Sequence, residues 1–214
     1  DGIAVKDAPQ RFQWTFPIHF SPHDPSTLYT TSQYVWRSKN QGASWDKISG
    51  DLTLADTTTM GRSGGPVSGD MTGTEWYATI FAFAESPVKA GVLWTGSDDG
   101  LVHVSTDNGS TWKNVSPKAF GKFTRVSIIE ASPFDAGTAY LAANRYQQDD
   151  FSPYLFKTTD YGATWTRIDA GIPAGAYTRA IRSDVKRKGL LFAGTETGIY
   201  TSFNDGVSWE PLQL

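Results

Sequence analysis

Short apolar segments separated by turn residues run along most of the chain. The clearest example is the last repeat, which reads AIRSDV, KGLLFAGTE, TGIYTSFN and DGVSWEPLQL over residues 180–214. Each segment has the length of a strand, is rich in β-branched, leucine and aromatic residues, and is bounded by Gly, Asp or Pro. Long amphipathic helical periodicity is absent. The pattern therefore predicts four antiparallel strands in each repeat, which we call A to D.

One polar stretch with the spacing S/T-x-D/N-x-G-x-S/T-W recurs at residues 38–45, 105–112, 158–165 and 202–209. We call it the repeated turn and assign it to the hairpin between strands C and D. Its Asp or Asn can bond backbone N–H groups two residues on, its glycine can adopt positive φ, and its tryptophan can place apolar surface between neighbouring repeats. We therefore predict structural roles for Asn40, Gly42, Trp45, Asp107, Gly109, Trp112, Asp160, Gly162, Trp165, Asn204, Gly206 and Trp209.

Four-stranded repeats of about 40 to 50 residues with a glycine and aromatic signature are typical of a β-propeller, so the predicted fold class is all-β. Residues 1–214 form one predicted domain, with a loop at 51–75 between its first two blades. The four blades are predicted at about 14–52, 76–116, 123–171 and 177–214. Four blades could close into a disc, but neither terminus visibly completes the blade of the other. We therefore expect an arc of a larger propeller.

The repeated turn resembles the Asp-box, or BNR repeat, of sialidases, tandem-propeller xyloglucanases and the sortilin-type propeller. With SPHDPSTLY and EWYATIFAFAESP before the turns, the chain is most similar to large bacterial BNR-repeat proteins described as sortilin-like or glycosyl-hydrolase-like. The resemblance covers nearly the whole chain. It implies a propeller and an extracytoplasmic location: secreted, periplasmic or cell-surface. It specifies little chemistry, because in those families the box lies away from the ligand site.

Composition narrows the function classes. The 214 residues are 39% hydrophobic and carry a formal net charge of −3, as expected of a globular domain. The densest basic stretch, VKRKG, is interpreted as a solvated hairpin tip, so nucleic acid is not an expected partner. The absence of cysteine excludes disulfides and thiolate chemistry. No apolar run reaches the roughly 20 residues that span a bilayer, so direct membrane insertion is not expected. Neither a signal peptide nor an initiator Met is present, which indicates a mature form or a fragment.

A ligand rim is predicted where the D–A and B–C connections meet the propeller channel, opposite the repeated turns. FTRVS and YTRAI share an aromatic-Thr-Arg order, which predicts Arg125 and Arg179 at matching positions of adjacent blades. Two such arginines could hold a carboxylate or sulfate. Alternatively, each pairs with an acid such as Glu75 or Glu130. The rim is predicted to contain Glu75, Trp76, Asp98, Asp99, Arg125, Arg145, Tyr146, Asp149, Asp150, Arg179 and Glu196.

No catalytic residue, metal site or cofactor is predicted. Paired carboxylates hydrolyse glycosides when they lie roughly 5 to 10 Å apart and one has a raised pKa. However, adjacent acids such as Asp149 and Asp150 are ordinarily solvated turn residues, and the DDG at 98–100 is a hairpin signal. A sialidase-type F-R-I-P segment is absent, and for a xyloglucanase this chain would supply at most one of two opposed acids. The three histidines, His19, His23 and His103, lack metal-ligand spacing.

Three functions compete at this stage. The leading hypothesis is a noncatalytic module that binds a protein or glycan, or a structural subunit of an extracytoplasmic assembly. The alternative is part of a polysaccharide hydrolase of the xyloglucanase type, and the third is sortilin-like peptide binding. The expected partners are remaining blades, a second propeller or other subunits. The glycine-rich loop at 51–75 would cover a rim site or lie over such a neighbour.

Overall fold

The computed structural model describes residues 3–65, 67–69 and 76–212. The strands of this part form four four-stranded antiparallel sheets, each in chain order, which confirms the predicted all-β blades. Blade one contains β1 (Ile18–Phe20), β2 (Leu28–Thr31), β3 (Val35–Ser38) and β4 (Asp46–Lys47). Blade two contains β5 (Ile80–Glu85), β6 (Leu93–Ser97), β7 (Val102–Ser105) and β8 (Lys113–Asn114). Blade three contains β9 (Arg125–Ala131), β10 (Ala139–Arg145), β11 (Asp150–Thr158) and β12 (Thr166–Arg167). Blade four contains β13 (Thr178–Ser183), β14 (Leu191–Thr195), β15 (Ile199–Ser202) and β16 (Glu210–Pro211).

Among the described residues, three short 3₁₀ segments lie outside the sheets, at Val5–Asp7, Thr57–Thr59 and Tyr146–Gln148. The first segment packs Val5 and Ala8 against Met60 and Trp76, so the start of the chain covers the beginning of the 51–75 loop. Arg11 strengthens this contact, because its buried guanidinium forms an ion pair with Asp51 at 2.7 Å. Residues 66 and 70–75 of the loop lie outside the described residues.

The repeated turns share one hydrogen-bond pattern, which explains their residue spacing. In the second turn, Ser105 donates its hydroxyl to Asp107 Oδ1 and accepts the Gly109 amide, at 2.8 and 2.9 Å. Asp107 also accepts the Thr111 amide and hydroxyl, at 2.9 and 2.6 Å. Because the glycine has φ +85°, an ordinary side chain at that position would be strained. The other three turns close in the same way, around Asn40, Asp160 and Asn204.

The side-chain partner of the central turn residue depends on whether that residue is Asp or Asn. Where the turn carries Asp, as at Asp160, the carboxylate accepts the hydroxyl of a threonine, Thr164. Where the turn carries Asn, as at Asn204, the amide instead donates to the hydroxyl of a serine, Ser208. Each pair keeps one donor and one acceptor, so both versions satisfy the same turn.

A tryptophan links each of blades two, three and four to the blade before it. Three indole Nε1–H groups donate to the backbone carbonyl that follows the last strand of the preceding blade: Trp112 to Ile48 at 3.0 Å, Trp165 to Val115 at 2.6 Å, and Trp209 to Ile168. The turn glycine lies under the same apolar side chain, because a Cβ at Gly206 would stand 2.7 Å from Ile168 Cδ1. We call this combination of indole bond and covered glycine the blade staple.

The core lies between successive blades. One cluster joins blades one and two around Tyr29 and Leu93. A second joins blades two and three around Trp94 and Leu141, and a third joins blades three and four around Ile181. Within the described ranges, no strand of blade one packs extensively on a strand of blade four. The outer faces of the first and last blades therefore remain open.

Candidate functional site

An aromatic cluster lies where blades three and four meet at the predicted rim. Tyr146, in the connection between β10 and β11, stacks on Tyr177 with ring centroids 4.9 Å apart and planes 19° apart. Phe151 lies beside Tyr177, with a centroid distance of 6.0 Å. Tyr177 is buried, whereas Phe151 is 46% exposed. We call Tyr146, Phe151 and Tyr177 the aromatic platform, whose exposed surface belongs to Phe151 and, in part, to Tyr146.

Arg179 is fixed over this platform. Its guanidinium lies 5.2 Å from the Tyr146 centroid and 5.0 Å from the Tyr177 centroid. Its Nε donates to Glu196 Oε2 at 2.8 Å, and its side chain remains 48% exposed. The Tyr177 hydroxyl also donates to Glu196 Oε2, at 2.8 Å. The two donors, Arg179 first, lower the pKa of the Glu196 carboxyl, so the group is held as a carboxylate.

Arg125 occupies a different part of the rim. It donates to Gln147 Oε1 at 2.9 Å and lies 5.2 Å from the Phe81 ring centroid. Its Nε is buried without a hydrogen-bond partner among the residues that the structure describes. Arg125 therefore retains hydrogen-bonding capacity that Arg179 has already used.

The expected match between the two arginines is corrected by the strand registers. Arg125 pairs with Asn144, whereas Thr178 pairs with Thr195 and its neighbour Arg179 lies at a register shift. Counted from the register shift in each blade, Arg125 is equivalent to Tyr177 instead. Arg125 lies two residues before the unpaired bulge residue of its strand, Ser127, whereas Arg179 is itself the unpaired residue, so the shared Thr-Arg letters conceal an offset of two positions.

Asp98 and Asp99 are buried, unlike ordinary hairpin residues. Asp98 is 3% exposed and accepts both the amide and the hydroxyl of Thr79, at 2.8 and 2.9 Å. Burial raises its pKa to about 7. Asp99 accepts the Ser97 hydroxyl and, at 3.1 Å, the amide of Ala55. The pair therefore ties the start of β5 and the 51–75 loop to the connection between β6 and β7.

The remaining acids of blade three are divided between solvent and internal contacts. Asp150 accepts the Tyr154 hydroxyl at 2.6 Å and lies 3.3 Å from Arg145. Asp149 is exposed and adopts φ +55° at the end of the 3₁₀ segment. Glu130, proposed above as an arginine partner, pairs with Arg182 at 3.1 Å and not with Arg125 or Arg179.

Blade two contributes less to the rim than expected. Glu75 lies outside the described residues. Trp76 is 8% exposed and packs against Val5 and Met60, so its indole supports the start of the chain and offers little surface to a ligand. The sequence position of Trp76 next to an inner strand could not reveal that the first residues of the chain would cover it.

Metal binding and membrane spanning are two further properties that the described residues bear on. Among the residues with described positions, no group of three His, Asp or Glu side chains is arranged to hold a metal ion. No helix in that part of the chain is long and apolar enough to cross a membrane. His19 and His103 lie on strands, and His23 lies in a turn, with its Nε2 2.8 Å from the Ser86 carbonyl oxygen.

Comparison with solved structures supports the class of fold, a propeller with four-stranded antiparallel blades. An ancestral GH74 enzyme aligns with 100% of this chain and 26% of its own, at a TM-score of 0.69 and 17% identity. The GH74 xyloglucanase from Xanthomonas campestris aligns with 92% of this chain and 29% of its own, at a TM-score of 0.64 and 22% identity. At these identities the likeness concerns the fold alone.

Sequence comparison gives two kinds of homologue. The chain is 23% identical over 174 residues to the oligoxyloglucan-reducing end-specific xyloglucanase of Emericella nidulans, covering 77% of this chain and 19% of the relative. It is 25% identical over 231 residues to sortilin of Danio rerio, covering 91% of this chain and 27% of the relative. The chain thus spans about a fifth to a quarter of the length of these relatives. No protein-family model matches it.

Proposed function

We propose that the chain is a noncatalytic binding module, built as an arc of a larger propeller, whose rim holds a glycan on the aromatic platform. The repeated turns are, in this proposal, Asp-box repeats with a structural role. The observation that supports glycan binding most is the stacked pair Tyr146 and Tyr177 beneath the exposed guanidinium of Arg179. A sugar ring has an apolar C–H face that fits an aromatic surface, and hydroxyl groups that accept hydrogen bonds from a cation.

The surrounding charges favour a neutral or acidic sugar. Arg125 adds a second positive charge to the rim, and Arg179 remains half-exposed after pairing with Glu196. An acidic glycan would gain charged hydrogen bonds, each worth roughly 1.5 to 3 kcal/mol. In this proposal the module has an extracytoplasmic location, as the resemblance of its repeated turn to the Asp-box implies. Its protein partners are further blades, a second propeller or other subunits.

The binding test uses a panel of neutral and acidic oligosaccharides and isothermal titration. Tyr146→Ala removes half of the stacked pair and should weaken binding by about 1 kcal/mol, or roughly fivefold. Phe203→Ala is the matched control, because Phe203 is 55% exposed and lies 5.3 Å beneath Arg187, but belongs to a repeated turn. Equal losses for both variants, or binding to peptides in place of glycans, would refute the proposed site.

The second candidate is part of a polysaccharide hydrolase. It is supported by the xyloglucanase relatives and by Asp98, whose pKa of about 7 would suit a general acid. Against it, Asp98 is 3% exposed and both of its carboxyl oxygens are occupied by Thr79. Release of reducing ends from xyloglucan, lost in Asp98→Asn, would establish the hydrolase. Binding without turnover in both proteins would support the binding module.

A further inference from the structure

A small cleft lies between blades one and two. Its volume is about 260 Å³, just below the range of sites that hold drug-sized ligands, so it would take a small molecule. Tyr29 and Arg37 of blade one line one side, and Glu85 and Asn108 of blade two line the other. Asn108 belongs to the second repeated turn, so this cleft is separate from the aromatic platform of blades three and four.

The equivalent place between blades three and four is filled by a carboxylate of the protein itself. Asp205, the residue before the turn glycine, accepts the Tyr140 hydroxyl at 2.6 Å and lies 2.5 Å from Lys157 Nζ. Tyr140 pairs with Lys157 in the sheet of blade three, and Tyr29 pairs with Arg37 in the sheet of blade one. The tyrosine and the cation of the first interface therefore correspond to those of the last.

Asn108 takes the place of Asp205 in the first interface and brings no charge. The two residues share a φ of +63°, and Arg37 Nη1 donates to the Asn108 carbonyl oxygen at 3.3 Å. No ion pair of Arg37 is present in the part of the chain that the structure describes. Arg37 thus lacks the carboxylate that the corresponding lysine of blade three has.

Glu85 supplies a negative charge that the later interfaces lack. It ends β5 opposite Leu93, whereas Ala131 and Ser183 hold the same place in blades three and four. Glu85 is 5% exposed, and its Oε1 accepts the Gly91 amide at 3.0 Å. Its Oε2 has no hydrogen-bond partner among the described residues. Because a buried carboxylate is costly without a cation or a donor, a bound cation would stabilise this side of the cleft.

Both charges of the cleft act on the hydroxyl of Tyr29. Burial, followed by the negative charge of Glu85, raises the pKa of Tyr29 to about 12, while Arg37 acts in the opposite direction. Glu85 and Arg37 nevertheless form no ion pair with each other. A ligand that suits both sides carries an anion and a cation close together.

We propose that this cleft binds a free amino acid, with its carboxylate on Arg37 and the Tyr29 hydroxyl and its ammonium group against Glu85. The carboxylate would stand where the Asp205 side chain stands in the last interface. An amino acid without a charged side chain has no net charge at neutral pH, which matches the opposite charges of the two sides. The inference goes beyond the proposed glycan site and depends neither on that site nor on the number of blades.

The experiment compares three probes by nuclear magnetic resonance titration of the isotope-labelled protein. The reporters are the Gly91 amide, which donates to Glu85, and the Asn108 amide, which donates to the Gly91 carbonyl at 2.9 Å. L-alanine carries both charged groups and should shift the two signals to saturation. Propionate lacks the ammonium group and ethylamine lacks the carboxylate, so each should bind more weakly than L-alanine by roughly tenfold or more.

Two variants test the two sides of the cleft. Asn108→Asp adds the carboxylate that Asp205 provides elsewhere, at a φ that Asp205 already adopts, so the protein should fold. The added carboxylate should pair with Arg37 and weaken L-alanine binding roughly tenfold or more. Glu85→Gln keeps the shape of its side and removes the charge, and should weaken L-alanine binding by a similar factor. Lys113→Gln is the matched control, because Lys113 is exposed and does not line the cleft.

Three results would overturn the proposal. The first is L-alanine that leaves both reporter amides unshifted, and the second is propionate or ethylamine that binds as tightly as L-alanine. The third is undiminished L-alanine binding by Asn108→Asp or Glu85→Gln. The glycan panel is measured separately, so failure of the glycan site would leave these outcomes unchanged.

Discussion

Trp209 and Trp45 provide a matched pair for measuring the blade staple. Both belong to repeated turns, but Trp209 is 4% exposed and donates to the Ile168 carbonyl, whereas Trp45 is 37% exposed with no neighbouring blade. Replacing each by phenylalanine removes the indole N–H and retains an aromatic ring. We expect Trp209→Phe to destabilise the protein much more than Trp45→Phe.

The expected difference follows from what each substitution leaves behind. Trp209→Phe leaves the Ile168 carbonyl buried without its donor, which costs about 1 to 3 kcal/mol. The smaller ring also leaves a gap against blade three, which adds about 1 kcal/mol. We therefore expect a loss of roughly 2 to 4 kcal/mol of unfolding free energy. Trp45→Phe removes no bond in the monomer and should remain within about 0.5 kcal/mol of the unaltered protein.

Urea unfolding followed by far-UV circular dichroism measures both free energies. The protein must be dilute enough to be monomeric, which sedimentation establishes beforehand, because association would stabilise the folded state. The slopes of the unfolding curves should be the same for all three proteins, since the exposed surface hardly changes. If the two variants lose equal stability, or if Trp45→Phe loses more, the assignment of Trp209 as a staple and Trp45 as a free end is wrong.

Two other predictions concern the buried carboxyl of Asp98 and the glycines Gly96 and Gly194. Because burial raises the Asp98 pKa from 3.8 to about 7, the folded state binds more protons than the unfolded state, and stability should fall as pH rises from about 4 to 7. Asp98→Asn cannot ionise, so its free energy of unfolding relative to that of the unaltered protein, measured by urea unfolding, should rise by up to roughly 4 kcal/mol between about pH 4 and pH 7. A difference that stays constant over this range would contradict the buried carboxyl. Gly96→Ala should cost about 1 to 3 kcal/mol by overlap with Val126, whereas Gly194→Ala should be neutral or slightly stabilising. Thermal melts that rank these two variants in the opposite order would refute the open face of blade four.

The blades could be predicted from the sequence because their signals are local. A strand-length apolar run and a turn with Asp, Gly and Trp at fixed spacing are each determined within a few residues, so the all-β class and the four-stranded antiparallel sheets could be predicted. The spacing predicted that Asp107 would bond a backbone N–H two residues on, whereas it accepts the Thr111 amide, four residues on, and the hydroxyl bonds of Ser105 and Thr111 were not predicted.

The rim was harder to predict because its geometry depends on long-range contacts. Arg125 and Arg179 stand at different positions relative to the β-bulges of their strands, and no letter pattern marks those bulges. The stacking of Tyr146 on Tyr177 joins two blades and was not foreseen, although Tyr146 alone was a candidate. Likewise, the DDG pattern indicates a turn but cannot show that Thr79 and the 51–75 loop enclose both acids.

Hydrogen exchange of the assigned indole N–H groups tests the open arc most directly. In dilute monomer, the indoles of Trp112, Trp165 and Trp209 should exchange slowly, because each donates to a carbonyl of the preceding blade. The indole of Trp45 should exchange rapidly, because it is 37% exposed and has no acceptor among the described residues. Slow exchange at Trp45 in the dilute monomer would contradict the account, because it would mean that the first blade already has a neighbour within the same molecule.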